Sequence, residues 1–325
     1  MRRFLPDWFI GGLMVMIILA WIKPGLGMDI HPLNLGRMID AGIVLIFFFY
    51  GLKIDPERLK QGMSNWRMHL SIQLVTFLFF PLLVLPLYPL VKGTELEIFW
   101  LGILFLAALP STVSSSVVMV SIARGNIPGA IFNASISGII GIVMTPFWMG
   151  LFLGSRTGDF DFGHIMLQLF LQIILPVVAG LLLHRFVASW IGRIGKHLGN
   201  FDKTIILLIV YESFSESYLS GLFQSVSWLR LLGLSAVVLA LFFTVLRFTA
   251  WLAQWLKFSR ADRITLQFAG SKKSLVHGSV FSAILFAGIT GSGLLLLPIM
   301  MYHAFQLFYV SLLAKREALT LGGPL

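Results

Sequence analysis

Pro110 is followed by five hydroxyls in six positions, Ser111, Thr112, Ser114, Ser115 and Ser116, in the middle of an apolar run. A proline removes a backbone donor and disfavours helical geometry in the residue before it. The hydroxyls then have two readings. They bond back to the carbonyls of a kinked helix, or they line a gap that meets an ion or a substrate. Five exceed what one kink requires, which favours the gap. A second apolar run is interrupted by Gly270, Ser271, Lys272, Lys273 and Ser274, with His277 and Gly278 soon after. An unpaired ammonium at membrane depth is costly, so intramembrane lysines normally face an interior cavity or a partner. Two adjacent lysines do not share one helix face. Either one lines a cavity while the other snorkels or pairs, or the helix unwinds there. The competing reading is a cytoplasmic loop at 271–274, but the flanking apolar stretches are too short for two complete spans.

A third polar patch, IVYESFSESYLS, sets Glu212 and Glu216 four apart on one helix face, with Ser213 and Ser217 beside them. Glu212 near mid-depth suits a partner for Lys272 or Lys273, or a ligand for a proton or cation; Glu216 lies nearer the outer mouth. Asn133, with Ser135 and Ser137, is either interhelical glue or part of a site. Gln73, and His303 with Gln306 three residues apart, are weaker candidates. No G-x-x-x-x-G-K-[ST] phosphate loop and no H-E-x-x-H occurs, so ATP coupling within the chain and zinc hydrolysis have no basis here. A hydrolase using Ser115 with Lys272 or Lys273 is conceivable chemistry, yet serine is too abundant for the pair to be diagnostic. No enzyme and no cofactor is expected, and an ion channel is the third class considered.

The elements that must position these groups follow from composition. The chain has 325 residues, 58% hydrophobic and 12% charged, no cysteine and a mean hydropathy of +0.91. About a quarter charged is usual for a soluble domain, so an integral, all-α membrane protein is indicated. Ten apolar segments are expected at about 8–23, 36–52, 69–91, 98–122, 127–153, 164–184, 204–224, 231–252, 264–289 and 293–313. With the N-terminus inside, sixteen Lys and Arg fall in inner connectors and five in outer ones. That bias requires an even number of spans and places both termini in the cytoplasm of a multi-pass plasma-membrane protein. It also explains the net charge of +10 without nucleic acid. The first segment lacks a small-x-small cleavage pattern and is expected to be retained as a helix. Trp8, Trp21, Trp100, Trp148, Trp190 and Trp228 are expected in interfacial belts.

Ten spans divide into five and five, at 1–160 and 161–325. An odd number per half inverts the second half relative to the first, a construction in which matching broken helices hold the substrate near the midplane. Spans four and nine are the interrupted pair, and this favours a two-half carrier over a channel.

The stretches FFFYGLKIDPERLKQG, ALPSTVSSSVVMVSIARGNIPGAIFNASISGIIGIVMTP and GSKKSLVHG resemble the bile acid:sodium symporter superfamily, in particular its bacterial branch related to the animal solute carrier family 10 member 7. The resemblance implies ten helices in two inverted repeats. Spans 1, 2, 6 and 7 form a panel and spans 3–5 and 8–10 a core, with broken helices four and nine crossing. It implies a small-molecule solute, a bilayer in the bacterial inner membrane, and Na⁺ as coupling ion, with a site near Ser114, Ser115 and Asn133. In that arrangement Glu212 and Glu216 belong to the panel and reach Lys272 or Lys273 only across the cleft. The serine–asparagine pair of sodium-coupled members corresponds here to Ser114 and Ser115. Their span-nine acid and Gln–Asn pair correspond to Phe268 through Lys273, with no carboxylate. A lost acid and an added ammonium turn attraction for Na⁺ into repulsion. One lysine is therefore expected to replace a bound cation, with transport coupled to H⁺, uncoupled, or directed at an organic anion. A membrane-embedded regulator that carries no solute is the alternative, and a monomer or weak dimer is expected.

Overall fold

The computed structural model describes residues 8–27, 35–54, 57, 62–157, 162–221, 226–287 and 291–319. Arg2, Arg3, Arg58, Lys60 and the half-chain boundary at 160/161 lie outside them, as do the side chains of Ser114, Arg156, Trp190, Arg193 and Lys196. The described residues are helical with no strand. In chain order the helices are α1 (Trp8–Ile22), α2 (Leu35–Lys53), α3 (Trp66–Val91), α4 (Glu97–Ala108), α5 (Ser114–Ile122), α6 (Ile127–Thr157), α7 (Phe162–Leu169), α8 (Leu175–Leu219), α9 (Trp228–Trp255), α10 (Arg260–Gly270), α11 (Leu275–Leu285) and α12 (Ser292–Leu319).

Among the described residues, six helical stretches are long and apolar enough to cross a membrane: Leu35–Lys53, Trp66–Val91, Ile127–Leu153, Leu167–Val187, Trp228–Trp255 and Ser292–Leu319. Gly11–Ile22 and Glu97–Ala108 are apolar but shorter. Sequence sets the helix ends. Asn65 caps α3 by accepting from the Met68 amide, and Ser259 caps α10 by accepting from the Asp262 amide. Leu109, held extended before Pro110 at φ −70 and ψ 151, stops α4.

The chain separates into two compact units. One comprises 1–54, 161–231 and 279–297; the other comprises 55–160, 232–278 and 298–325. In the first, α8 is not a straight rod. A straight helix would set Val177 and Ile205 about 42 Å apart. Yet a Cβ on Gly51 would strike the Val177 carbonyl, and one on Gly42 would strike Ile205. Those glycines are only about 14 Å apart along α2. His184 also reaches the Leu52 carbonyl at 2.6 Å, while Asp202 pairs with Lys53 at 3.1 Å. The segment therefore doubles back on α2 between His184 and Asp202, and absent side chains at Gly51 and Gly180 let the backbones touch.

In the second unit the interfacial role expected for two tryptophans does not hold. Trp100 and Trp148 are buried, and their indole N–H groups donate to the carbonyls of Val84 (3.0 Å) and Phe77 (2.8 Å). Both close the backbone of α3 instead of meeting lipid headgroups. Trp8, Trp21 and Trp228 are exposed.

Candidate functional site

The site is built by two interruptions in the second unit, 109–113 between α4 and α5 and 271–274 between α10 and α11. Ending α4 inside an apolar unit frees carbonyls that must find donors. Those of Leu106 through Pro110 are accounted for. Leu106 accepts from the Leu109 amide, Ala108 from the Thr145 hydroxyl at 2.8 Å, and Pro110 from the Ser274 amide at 3.0 Å. The carbonyls of Ala107 and Leu109 accept from the Lys273 ammonium at 2.6 and 2.8 Å. On the other side, Ser111 Oγ donates to the Ala269 carbonyl at 2.6 Å, and the Ser111 amide donates to Ser137 Oγ at 3.0 Å. The two gaps are thus joined by direct bonds between Ser274 and Pro110 and between Ser111 and Ala269. The close approach of α6 beneath them needs Gly141, whose Cβ would lie 2.9–3.0 Å from three atoms of the Pro110 ring.

Lys273 holds a third carbonyl, that of Thr76, at 2.8 Å. This carbonyl is free for a reason written in the chain. Residues Val75–Phe79 form a π-helical turn in which the Phe80 amide bonds to Val75. The next donor in that register is residue 81, a proline without an N–H. The Phe80 ring lies 4.0 Å from the same ammonium, a cation–π contact. Gln306 fixes the backbone at this point. Its Oε1 accepts from the Lys273 amide at 2.8 Å, and its Nε2 donates to the Lys273 carbonyl at 2.7 Å. Tyr302 OH donates to the Ser271 carbonyl at 2.6 Å.

Lys272 points to a different set. Its ammonium donates to Ser115 Oγ at 2.9 Å. Ser115 in turn donates to Thr112 Oγ1 at 2.9 Å, which shares a 2.7 Å bond with Ser116 Oγ. Lys272 is fully buried, whereas Ser115 is only half-buried. Among the described residues neither lysine has a carboxylate within 4.0 Å; their partners are hydroxyl and carbonyl oxygens of the same unit. Of the two arrangements open to adjacent lysines, the structure has the unwound one: residues 271–274 lie between α10 and α11.

The remaining candidates are spread over several elements. Ser274 Oγ meets His277 Nδ1 at 2.9 Å at the start of α11, and His303 Nδ1 meets Gln306 Nε2 at 2.9 Å. Ser271 Oγ turns back to the Gln267 carbonyl. Asn133 joins Gln73 (3.2 Å) and His69 Nδ1 (2.6 Å), not Ser115, so Ser115 and Asn133 are each engaged elsewhere. The Ser114 side chain lies outside the described residues. Glu212 and Glu216 lie in α8, in the other unit. Glu216 Oε2 accepts from Ser292 Oγ at 3.0 Å, and Ser217 Oγ accepts from the Gly293 amide at 3.0 Å. A carboxylate there complements the amino end of α12.

Sequence reading missed Thr76, Phe80 and Tyr302. Pro81, five residues after Thr76, was the available signal for the first two. It also missed the clamp in which Asp262 accepts from Asn65 (2.9 Å), Asn126 (2.8 Å) and Ser259 (2.9 Å).

Residues 7–318 match the SBF-like CPA transporter family. The chain is 38% identical to an uncharacterised protein of Pseudomonas aeruginosa, over 97% of this chain and 94% of that one. It is 35% identical to YfeH of Escherichia coli strain K12, named as a candidate symporter, over 94% and 90% of the two chains. It is 30% identical to the sodium/bile acid cotransporter 7 of Rattus norvegicus, over 96% and 93%. An apolar all-helical chain matched along nearly its whole length leads to one conclusion: this protein belongs to the SBF-like CPA transporter family, in the bile acid:sodium symporter branch.

Proposed function

We propose that the protein is a secondary transporter that carries a small organic anion across the plasma membrane by alternating access. The proposed architecture is ten spans in two inverted repeats with both termini cytoplasmic. Spans four and nine are the interrupted α4/α5 and α10/α11. The fold-back of α8 supports counting it as two spans, and the division into two units supports a panel and a core, except that 279–297 groups with the first. Relatives named as a candidate symporter and a sodium/bile acid cotransporter support solute transport driven by an ion gradient, Na⁺ or H⁺.

The observation that carries the anion is Lys272. An ammonium has three donors, and one is used, on Ser115 Oγ. A buried cation with spare donors and no carboxylate favours an anionic ligand strongly, because the low dielectric magnifies both the attraction and the cost of leaving it unpaired. Ser115, Thr112 and Ser116 supply hydroxyls at the amino end of α5, which adds the favourable end of a helix dipole. Na⁺ near these hydroxyls would face the Lys272 charge.

Counterflow into liposomes carrying the purified protein, screened with mixed solutes under Na⁺ and proton gradients, tests the reading. Accumulation of a carboxylate, sulfate or phosphate ester is expected. Accumulation of neutral or cationic solutes only, or of none, would contradict it.

A further inference from the structure

Lys273 is not a second copy of Lys272. All three of its ammonium donors are used, on the carbonyls of Thr76 (2.8 Å), Ala107 (2.6 Å) and Leu109 (2.8 Å), with the Phe80 ring at 4.0 Å. Three backbone carbonyls converging from a helix end and a π-helical turn make the kind of cage that replaces the hydration shell of a monovalent cation. Each carbonyl is there because its own helix gives it no donor. Thr76 adds a second observation: it is fully buried, and its hydroxyl has no hydrogen-bond partner among the described residues.

We propose that this cage is a monovalent-cation site permanently filled by a tethered ammonium, and that removing the Lys273 side chain converts it into a binding site for a free alkali cation of sodium or potassium size. An ammonium and a potassium ion are similar in size and carry the same charge. The exchange therefore preserves the electrostatics that hold the ends of α4 and the Val75–Phe79 turn together. In the intact protein no alkali ion is needed at this place, and none can enter while the ammonium is in it. The coupling ion, if it is Na⁺, must bind elsewhere. The proposal concerns binding and stability and does not depend on which solute is carried, so it can fail while transport stands, and the reverse.

The test is thermal unfolding of purified wild type, Lys273→Ala and Lys273→Met, titrated with NaCl, KCl or choline chloride at constant ionic strength. Wild type should show no saturable difference between alkali and choline salts. K273A should melt lower and recover saturably with Na⁺ or K⁺, or with methylammonium, but not with choline. K273M, which fills the cage with an apolar chain, should not recover. If K273A does not fold in any salt, Lys273→Ser, a second small side chain that leaves the cage open, repeats the titration under the same requirement. Equal recovery in choline, failure of both K273A and K273S to recover in any alkali salt, or a saturable alkali-specific rise in wild type would overturn the proposal.

Discussion

Gln306 grips the backbone of Lys273 with both ends of its amide, accepting from the N–H at 2.8 Å and donating to the C=O at 2.7 Å. A side chain of α12 thereby does for the 271–274 gap what a neighbouring strand does for an edge. It pairs a residue that has left its helix without forcing it back into one. The adjacent residues 272 and 273 then send their ammoniums to different oxygens, one to a hydroxyl chain and one to carbonyls.

Gln306→Ala should destabilise the protein by about 2–5 kcal/mol, since it leaves a buried amide and a buried carbonyl unpaired. Gln306→Glu retains an acceptor for the Lys273 amide but loses the donor to its carbonyl. Thermal unfolding in detergent or nanodiscs measures both, and an unchanged midpoint for Q306A would show that the pair carries no net stability.

Two glycines beside the gaps should respond differently to a methyl group. Gly141→Ala brings a Cβ to 2.9–3.0 Å from the rigid Pro110 ring, so α6 must shift, at a cost of about 1–3 kcal/mol. Gly278→Ala meets chiefly the flexible end of Leu109, with Cδ1 at 2.8 Å, and a rotamer change should absorb it. Equal loss in the two variants, read from unfolding midpoints, would contradict the packing described.

Thr145→Val removes the donor to the Ala108 carbonyl while keeping the shape. A cost of about 1–3 kcal/mol is expected for the orphaned carbonyl. A variant as stable as wild type would mean that water or a neighbour replaces the hydroxyl.

The fold-back of α8 is accessible to cross-linking because the chain has no cysteine of its own. Lys53→Cys with Asp202→Cys, and Leu52→Cys with His184→Cys, should each cross-link within one molecule with a short bis-maleimide. Losing the exposed Lys53–Asp202 ion pair should itself cost less than about 1 kcal/mol. Gly180→Ala, by contrast, drives a Cβ into the Phe48 carbonyl and should abolish folded protein. A 52/184 pair that joins while 53/202 does not would place the bend elsewhere.

Much of this site is visible in the sequence because its disruptions are chemically loud. Pro110 amid leucines, and two lysines after Gly270, mark the gaps without any coordinates. Their partners are quieter. Lys273 bonds to carbonyls, which every residue possesses, so no side-chain pattern identifies Thr76, Ala107 or Leu109. Only Pro81 marks the first, and only through a π-helical register that sequence periodicity does not reveal. Charge alone makes Glu212 a partner for Lys272 or Lys273, or a proton or cation ligand, whereas carbonyls of the lysines' own unit hold the Lys273 ammonium. Trp100 and Trp148 sit at span ends, where belts are expected, but unpaired α3 carbonyls draw them inward. The bend in α8 has no proline to announce it.

The claim on which the account turns is that Lys272 reads an anion. Its most direct test is uptake of the identified solute by liposomes containing wild type, Lys272→Met or Lys272→Arg, with folding checked by size exclusion. Losing a charge-assisted bond to a buried anion should lower K272M uptake roughly tenfold or more. K272R should retain part of the activity, with a raised KM. Undiminished uptake by K272M, above all Na⁺-driven uptake of a solute without negative charge, would contradict it.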